Sequence, residues 1–200
     1  MKLLMAGPSP FARKACVVVK ETGQEEDVAF VTTVAAPGGA EDVLKAANPL
    51  GKIPALVRDD GPTVYDSRVI CRFLNARAGA RLYPDGNFET LILEATAHGM
   101  MEAAVLIVYE MRFRPEEQQS AKWMEAQWEK VADALDAIEH RWMSHLAREI
   151  DIAHIAVGCA LGYLDLRHSH RNWRDGRPNL VSWYDTFAAR PSMKETEPQA

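Results

Sequence analysis

One hydroxyl side chain, Ser9, stands where a short apolar run meets a helical pattern near the start of the chain. The local sequence is "GPSPFARKA", and Pro10 suits the first turn of a helix because its missing N–H is not needed there. A serine in this position either caps the helix, by accepting a hydrogen bond from an amide of the first turn, or donates its hydroxyl proton to a bound anion. The Ser-Pro pair alone favours the cap.

Two other short motifs, Ile53-Pro54 and Asp66-Ser67, stand at the starts of predicted elements. Pro54 lies where a strand should begin, and only about 5% of X-Pro bonds in folded proteins are cis, so the pair alone favours an ordinary trans proline. Asp66 and Ser67 open a helical pattern, and both residue types accept hydrogen bonds from helix amides. Taken by themselves, both motifs have a structural explanation.

The elements that position these motifs alternate between strands and helices. Apolar and β-branched runs predict strands at residues 2–6, 27–34, 53–60 and 62–66. The last two are joined by the turn signal Asp59-Asp60-Gly61. Helical periodicity predicts helices that begin at Pro10, near residue 41 and at Ser67. The order βαβαββα predicts an α/β domain.

Strand patterns disappear after about residue 85, and the rest of the chain is predicted to be all-helical. Helical periodicity covers roughly residues 88–113, 117–147, 152–168 and 179–190. Glycine and proline between the two patterns predict a linker at residues 78–87. We therefore expect an α/β domain over residues 1–77 and an all-helical domain over residues 88–200.

Charge and cysteine content limit the partners and the location. The formal net charge of -5 over 200 residues argues against a nucleic acid or an anionic membrane as a partner. Cys16, Cys71 and Cys159 form no CxxC pair, which is typical of a reducing compartment. The chain turns to Gly7-Pro8 too early for a signal peptide, and the apolar run at residues 103–109 is too short to span a bilayer. The sequence predicts a cytoplasmic protein.

Longer motifs around these residues resemble the glutathione S-transferases. The string "NPLGKIPAL", followed after a hairpin by "YDS" and preceded by "SPF", is similar to the thioredoxin-like N-terminal domain of that family. The string "DIAHIAVGCALGYLDLR" resembles the core helix of the family's C-terminal domain, so the resemblance covers essentially the whole chain. The "SPF-R" start, the "GYL" helix and Thr196-Glu197-Pro198 are most similar to bacterial, serine-type members of the YibF-like group.

The resemblance implies that glutathione binds to the first domain as a co-substrate. It places a cis bond at Ile53-Pro54, which exposes the backbone N–H and C=O of Ile53 to the cysteinyl part of glutathione. By the same resemblance, Asp66 pairs with the γ-glutamyl ammonium, and Ser67 with the helix N-terminus receives the γ-glutamyl carboxylate. Lys52 either neutralises the glycyl carboxylate or is a solvated surface lysine. Phe11 of the SPF motif is also implied to contact glutathione.

The resemblance gives Ser9 a catalytic role. In this family the glutathione thiolate attacks an electrophile, and a thiol with an unperturbed pKa near 8.5 is only a few per cent ionised at neutral pH. Lowering that pKa by about two units requires roughly 2.7 kcal/mol, which a hydrogen bond from Ser9 and the dipole of the following helix can supply. Ser9 stands where thioredoxins carry a redox cysteine, so dithiol exchange is not expected.

These implications predict a homodimeric transferase that conjugates glutathione to an unidentified, apolar electrophile. Five residues on the first long helix either line the electrophile pocket or serve core or dimer packing: Met100, Met101, Val105, Tyr109 and Arg112. Two alternatives stay open. One is a glutathione-dependent peroxidase or reductive lyase, and the other is a noncatalytic binding or regulatory module on the same fold.

The histidines do not form a metal-binding pattern in the sequence. His154, His168 and His170 lack established ligand spacing, so we expect no metal. The family's Ser/Thr-x-x-Asp capping box reads Asp151-Ile152-Ala153-His154 here. Asp151 can still cap the helix, whereas His154 is not expected to act as the reciprocal partner.

Overall fold

The computed structural model describes residues 1–198, which divide into two compact units. The first unit comprises Met1–Gly86 together with residues 191–198, and the second comprises Asn87–Arg190. The first unit contains a small sheet with helices, and the second is helical. The chain passes into the second unit at residue 87 and returns to the first at residue 191.

The sheet of the first unit has three short strands. They are β1 (Lys2–Met5), β2 (Ala29–Thr32) and β3 (Ala55–Val57), in the spatial order β2-β1-β3. β2 runs parallel to β1 and β3 runs antiparallel to it, with Leu4 opposite Ala55. Leu3, Leu4 and Leu56 are buried, so the apolar runs that predicted these strands contribute to the core.

The predicted strand at residues 62–66 is wrong. This segment forms one antiparallel bridge, in which Val64 and Leu56 exchange two backbone hydrogen bonds of 2.9 Å each. Pro62 has no N–H with which to extend the ladder on one side of Val64, and Asp66 already caps the following helix on the other. The turn through residues 59–61 is therefore retained, but the pairing is a single residue long.

The first unit has three helices before residue 86. They are α1 (Pro10–Glu21), α2 (Asp42–Ala47) and α3 (Ser67–Ala78), and α1 packs against α3. Cys16 is buried within α1, which agrees with a core role. α3 ends at Gly79, whose φ of 61° is the left-handed conformation that glycine adopts without steric cost.

The second unit is built around one helix that is buried over most of its length. Its helices are α4 (Phe88–Phe113), α5 (Ala121–Ala137), α6 (Met143–Leu146), α7 (Ile152–Arg167) and α8 (Pro178–Ala188). All residues of α7 from Ile152 to Leu164 are buried, and α4 packs against both α7 and α5. α7 is therefore the core helix that the resemblance predicts.

The single helix predicted over residues 117–147 is wrong in two respects. It begins only at Ala121, because Ser120 caps it by accepting from the backbone N–H of Trp123 at 3.3 Å. A π-helical turn, Ile138–Trp142, then separates α5 from α6. Within that turn the Glu139 carboxylate accepts from the backbone N–H of Leu180 at 2.8 Å, and it caps α8, whose own N-cap residue makes no side-chain hydrogen bond.

The N-terminus of α7 corrects the expectation for His154. Asp151 caps α7 as predicted, since its Oδ1 accepts from the backbone N–H of Ala153 at 2.9 Å. His154 Nδ1 lies 3.2 Å from the backbone N of Asp151, so the imidazole does take the reciprocal place in the capping box. The same Nδ1 lies 2.8 Å from Asp151 Oδ1. A ring nitrogen cannot donate and accept at once, so the imidazole accepts from the Asp151 N–H when Nδ1 is unprotonated and donates to the Asp151 carboxylate when Nδ1 carries a hydrogen.

Helix α4 alone, within residues 1–198, is long and apolar enough to cross a membrane by length and composition. The apolar run at residues 103–109 is only one part of this helix, which has 26 residues. Half of its most apolar window is buried inside the second unit, as is typical of a core helix.

Residues 191–198 form a segment that we name the C-terminal strap. It begins with the short helix α9 (Pro191–Lys194), which packs on α1 of the first unit. Arg13 Nη2 donates to the carbonyl of Met193 at 3.0 Å, and Lys20 Nζ pairs with Glu195 at 2.5 Å. These residues were predicted to belong to the all-helical domain, because a short helical pattern does not reveal which surface it packs on.

Candidate functional site

The register of the sheet brings the three sequence motifs to one edge. Ser9 follows the C-terminal end of β1, and Pro54 immediately precedes Ala55, which lies opposite Leu4 in the antiparallel pair. Val64 is paired antiparallel with Leu56 of β3, so the chain that continues to Asp66 and Ser67 leaves at the same edge. Because antiparallel neighbours place a strand's end beside its partner's start, the three motifs converge at the C-terminal end of β1.

Ser9 is the N-cap of α1. Its backbone is extended, and its Oγ accepts from the backbone N–H of Ala12 at 3.3 Å, which confirms the capping role. In this bond the hydroxyl acts as acceptor, so its hydrogen is left for another acceptor. The first turn of α1 has no acidic residue, and the positive end of the helix dipole is not neutralised there. Phe11, in the same turn, is half-buried.

The Ile53-Pro54 bond is cis, as the resemblance predicted. The loop before it is held by Asn48, a residue that was named above only as the first letter of the string "NPLGKIPAL". Asn48 Nδ2 donates to the carbonyl of Lys52 at 2.8 Å, and Asn48 Oδ1 accepts from the backbone N–H of Leu50 at 3.0 Å. Asn48 is buried, whereas the Lys52 side chain is exposed. An Asn-Pro pair that signals a helix end cannot by itself indicate this bridge across the loop.

Asp66 and Ser67 form the N-terminus of α3, and the peptide bond between Tyr65 and Asp66 is also cis. Asp66 Oδ1 accepts from the backbone N–H of Arg68 at 2.9 Å, and its Oδ2 accepts from Arg68 Nη2 at 3.1 Å. The side chains of this ion pair are about half exposed, at 49% for Asp66 and 51% for Arg68. Arg68 was not among the predicted site residues.

The hydroxyl of Ser67 is the unusual feature of this edge. Ser67 is only 1% exposed, and its Oγ has no hydrogen-bond partner among the described residues. A buried hydroxyl without a partner has lost its hydrogen bonds to water without forming others. Such a group is rare unless a ligand supplies the missing hydrogen bond. The Ser67 hydroxyl lies beside the free amides of the α3 N-terminus, which favour an anionic group.

Other candidate residues have structural roles. His168 is buried, and its Nε2 donates to the carbonyl of Ala104 at 3.0 Å. Burial lowers the pKa of His168, which favours the neutral ring. His170 is exposed. Met100 and Met101 are each 1% exposed inside the second unit, which agrees with core packing rather than with a pocket wall.

His145, Asp151 and His154 bring three possible metal-ligand atoms within 4.8 Å of one another. Each is already used in a hydrogen bond, since His145 Nε2 lies 2.7 Å from Asp151 Oδ2, which also accepts from Thr90 Oγ1 at 2.7 Å. Burial opposes ionisation of Asp151, but hydrogen bonds from His154, Thr90 and His145 outweigh it and hold the pKa of the carboxyl well below its usual range. The cluster completes the α7 cap.

Comparison with known proteins agrees with this architecture. Residues 8–77 match the family described as "Glutathione S-transferase, N-terminal domain", and residues 121–186 match "Glutathione S-transferase, C-terminal domain". The chain is 32% identical over 204 residues to the uncharacterized GST-like protein YibF of Escherichia coli (strain K12), covering 99% of this chain and 98% of that protein. The chain belongs to the glutathione S-transferase family.

Solved glutathione S-transferase structures share the whole fold. A glutathione transferase family member from Pseudomonas fluorescens Pf-5, crystallised with bound glutathione, is 41% identical with a TM-score of 0.96, and the match covers 100% of this chain and 99% of that one. A second structure described as a family member from the same strain contains S-(propanoic acid)-glutathione and has 41% identity, a TM-score of 0.92 and full coverage of both chains. The predicted class, a thioredoxin-like N-terminal domain followed by a helical C-terminal domain, is confirmed.

Proposed function

We propose that this protein is a glutathione transferase in which the Ser9 hydroxyl stabilises the thiolate of bound glutathione for attack on a small electrophile. The observation that carries the proposal is the geometry of Ser9. Its oxygen accepts from the backbone N–H of Ala12, while its hydrogen stays available at the positive end of α1. A hydroxyl hydrogen and a helix N-terminus both favour an anion over a neutral thiol, and together they lower the thiol pKa.

The binding part of the proposal uses the other two motifs at the same edge. Ser67 and the amides at the start of α3 receive the γ-glutamyl carboxylate, which would give the unpartnered hydroxyl a hydrogen-bond acceptor. Asp66 receives the γ-glutamyl ammonium. The backbone of Ile53, beside the cis bond to Pro54, pairs with the cysteinyl part. Lys52 neutralises the glycyl carboxylate from its exposed position, and Phe11 contacts the peptide from the first turn of α1.

The proposed reaction forms one carbon–sulfur bond. The thiol proton of glutathione leaves to solvent, and Ser9 donates a hydrogen bond to the resulting thiolate. The sulfur lone pair then attacks the electrophilic carbon, and a leaving group departs with its bonding electrons or a double bond takes up a proton. The glutathione thioether in the Pseudomonas fluorescens relative supports a site of this kind that accepts an S-substituted ligand.

The remaining parts of the proposal concern the molecule in the cell. We place the protein in the cytoplasm as a homodimer, with an apolar electrophile as the second substrate. The segment 78–87 is proposed as the linker that follows the glutathione-binding domain of residues 1–77.

Titration calorimetry with glutathione, followed by turnover assays with an activated aryl halide, an epoxide and a hydroperoxide, tests the proposal. We expect binding and turnover of at least one carbon electrophile. Reduction of the hydroperoxide alone would favour the peroxidase alternative, and reductive removal of a leaving group would favour the lyase. Binding without any turnover would favour a noncatalytic module, and absence of binding would refute the assignment.

A further inference from the structure

Arg13 has an unusual environment for a cation. It is 5% exposed, and its Nη2 donates to the backbone carbonyl of Met193 in the strap at 3.0 Å. Its Nε is buried without a hydrogen-bond partner, and no carboxylate among residues 1–198 forms an ion pair with it. A buried guanidinium is normally paired with a carboxylate, because desolvation of an unpaired charge is costly.

The position of Arg13 links it directly to Ser9. The two residues are one helical turn apart, and the backbone N–H of Arg13 donates to the carbonyl of Ser9 at 2.9 Å. This is a hydrogen bond of the first turn of α1, the turn whose Ala12 amide also binds Ser9 Oγ at 3.3 Å. A cation in this place adds to the positive end of the helix dipole.

The strap holds Arg13 in that place. The strap makes two further contacts with α1, in which Ser192 Oγ donates to Glu21 Oε1 and Glu195 pairs with Lys20. Together with the hydrogen bond from Arg13 to the Met193 carbonyl, these contacts attach the strap to α1 both near its start and at its end. The ion pair with Glu195 neutralises the charge of Lys20 at the far end of α1. The positive charge of Arg13 is not neutralised in this way. Lys14, the next residue, is fully buried and has interactions of its own.

From these observations we infer that Arg13, seated by the carbonyl of Met193 in the C-terminal strap, is a positioning residue that lowers the pKa of the glutathione thiol held at Ser9. This inference rests on the proposed function. Arg13 does not touch the sulfur in this scheme. It acts through the electrostatic potential at the first turn of α1 and through the position of that turn. The strap, which holds Arg13, therefore contributes to activation of the thiol.

Three variants separate the charge of Arg13 from its packing. Arg13→Gln keeps an N–H donor for the Met193 carbonyl but removes the charge, and Arg13→Lys keeps the charge. Lys20→Gln is the matched control, because Lys20 is a cation on the same helix and contacts the same strap, but lies almost two turns farther from Ser9. For each protein, glutathione affinity is measured by calorimetry, and the pKa of the bound thiol is measured from thiolate ultraviolet absorbance against pH.

We expect Arg13→Gln to raise the bound thiol pKa by about one unit, the order of effect expected for removal of one nearby charge from a partly screened site. Arg13→Lys and Lys20→Gln should titrate within about 0.3 unit of wild type. Equal pKa values for wild type and Arg13→Gln would overturn the inference alone. If Arg13→Gln does not fold, the comparison rests on Arg13→Lys. A one-unit rise of the bound thiol pKa in Arg13→Lys would overturn the inference, and an unchanged pKa would support it. Failure of wild type to bind glutathione would overturn the proposed function and this inference together.

Discussion

Ser9 can fill both of the roles that its place in the sequence allows. A hydroxyl oxygen accepts through a lone pair and donates through its one hydrogen, so accepting from the Ala12 amide leaves the donor function intact. The choice between a cap and a catalyst, which the Ser-Pro pair presents, is therefore not exclusive. The cap fixes the oxygen, and a fixed oxygen is a better donor to a thiolate because less side-chain freedom is lost on binding.

Replacement of Ser9 by alanine should have two separable effects. Loss of the cap should lower the free energy of unfolding by about 1 kcal/mol, measured by urea denaturation. Loss of the donor should raise the bound glutathione thiol pKa by about one to two units, measured by thiolate absorbance, with little change in affinity. Ser9→Thr keeps a hydroxyl and is the control for both measurements. A thiol titration that does not move in Ser9→Ala would leave Ser9 as a cap only.

Ser67→Ala tests the unpartnered hydroxyl at the start of α3. Because the Ser67 Oγ makes no hydrogen bond to any of residues 1–198, its removal should change the free energy of unfolding by less than about 0.5 kcal/mol. Glutathione affinity should fall by about 1.5–3 kcal/mol, the range for a hydrogen bond to a charged group, and calorimetry measures it. The reverse pattern, lower stability with unchanged affinity, would show that Ser67 supports the fold and does not bind the ligand.

At the scale of elements, the N-terminus of α7 depends on one ionised carboxylate. The folded-state pKa of Asp151 is depressed below its ordinary value of 3.8, because hydrogen bonds from His154, Thr90 and His145 outweigh its burial. Its contribution to stability is therefore complete above the unfolded pKa and is lost as the pH falls towards the folded one.

Asp151→Asn should destabilise the protein at neutral pH by about 2–4 kcal/mol, since it removes both a helix cap and the charged centre of a buried cluster. The difference from wild type should shrink as the pH falls below 3.8, where the wild-type carboxylate begins to lose its advantage. Urea denaturation across this pH range measures both effects. Asp175→Asn, at an exposed position, is the control. A difference that stays constant with pH would mean that packing, rather than charge, sets the role of Asp151.

The elements that sequence patterns predicted best are those fixed by local chemistry. α3 begins at Ser67 after the Asp66 cap, and α4 spans the predicted residues, because capping residues and helical periodicity act within a few turns. The strand at residues 62–66 and the helix at 117–147 failed for another reason. Pairing at Val64 is limited by its neighbours, and the π-helical turn at Ile138–Trp142 places Glu139 against α8, a partner far along the chain.

The candidate site was predictable in part for a related reason. Ser9, Ile53, Asp66 and Ser67 lie in short motifs whose resemblance to a family supplied their grouping, and the sheet register then brings them to one edge. Asn48 and Arg13 escaped prediction, because their roles depend on the backbone carbonyls of Lys52 and Met193. A backbone acceptor leaves no signature in the residue types of a sequence.

At the scale of the whole molecule, exposed apolar side chains support the proposed homodimer. Phe88 is 73% exposed and Ile92 is 53% exposed, and their spacing of one turn places both on one face of α4. Light scattering on the purified protein should give a mass twice the 22.3 kDa of the chain. Ile92→Glu should shift that mass towards a single chain while circular dichroism stays unchanged. Met111→Glu, at the other end of α4, is the control, and a wild-type mass of one chain would refute the dimer.

The course of the chain through its two units has a consequence for genetics. On a linear map of two consecutive domains, a premature stop or frameshift at one of codons 191–193 would affect only the second domain. In this protein it would leave Asn87–Arg190 whole and remove Met193, the partner of a buried arginine in the first unit. Its structural effect would therefore fall on the helix that begins beside Ser9 and not on the second unit.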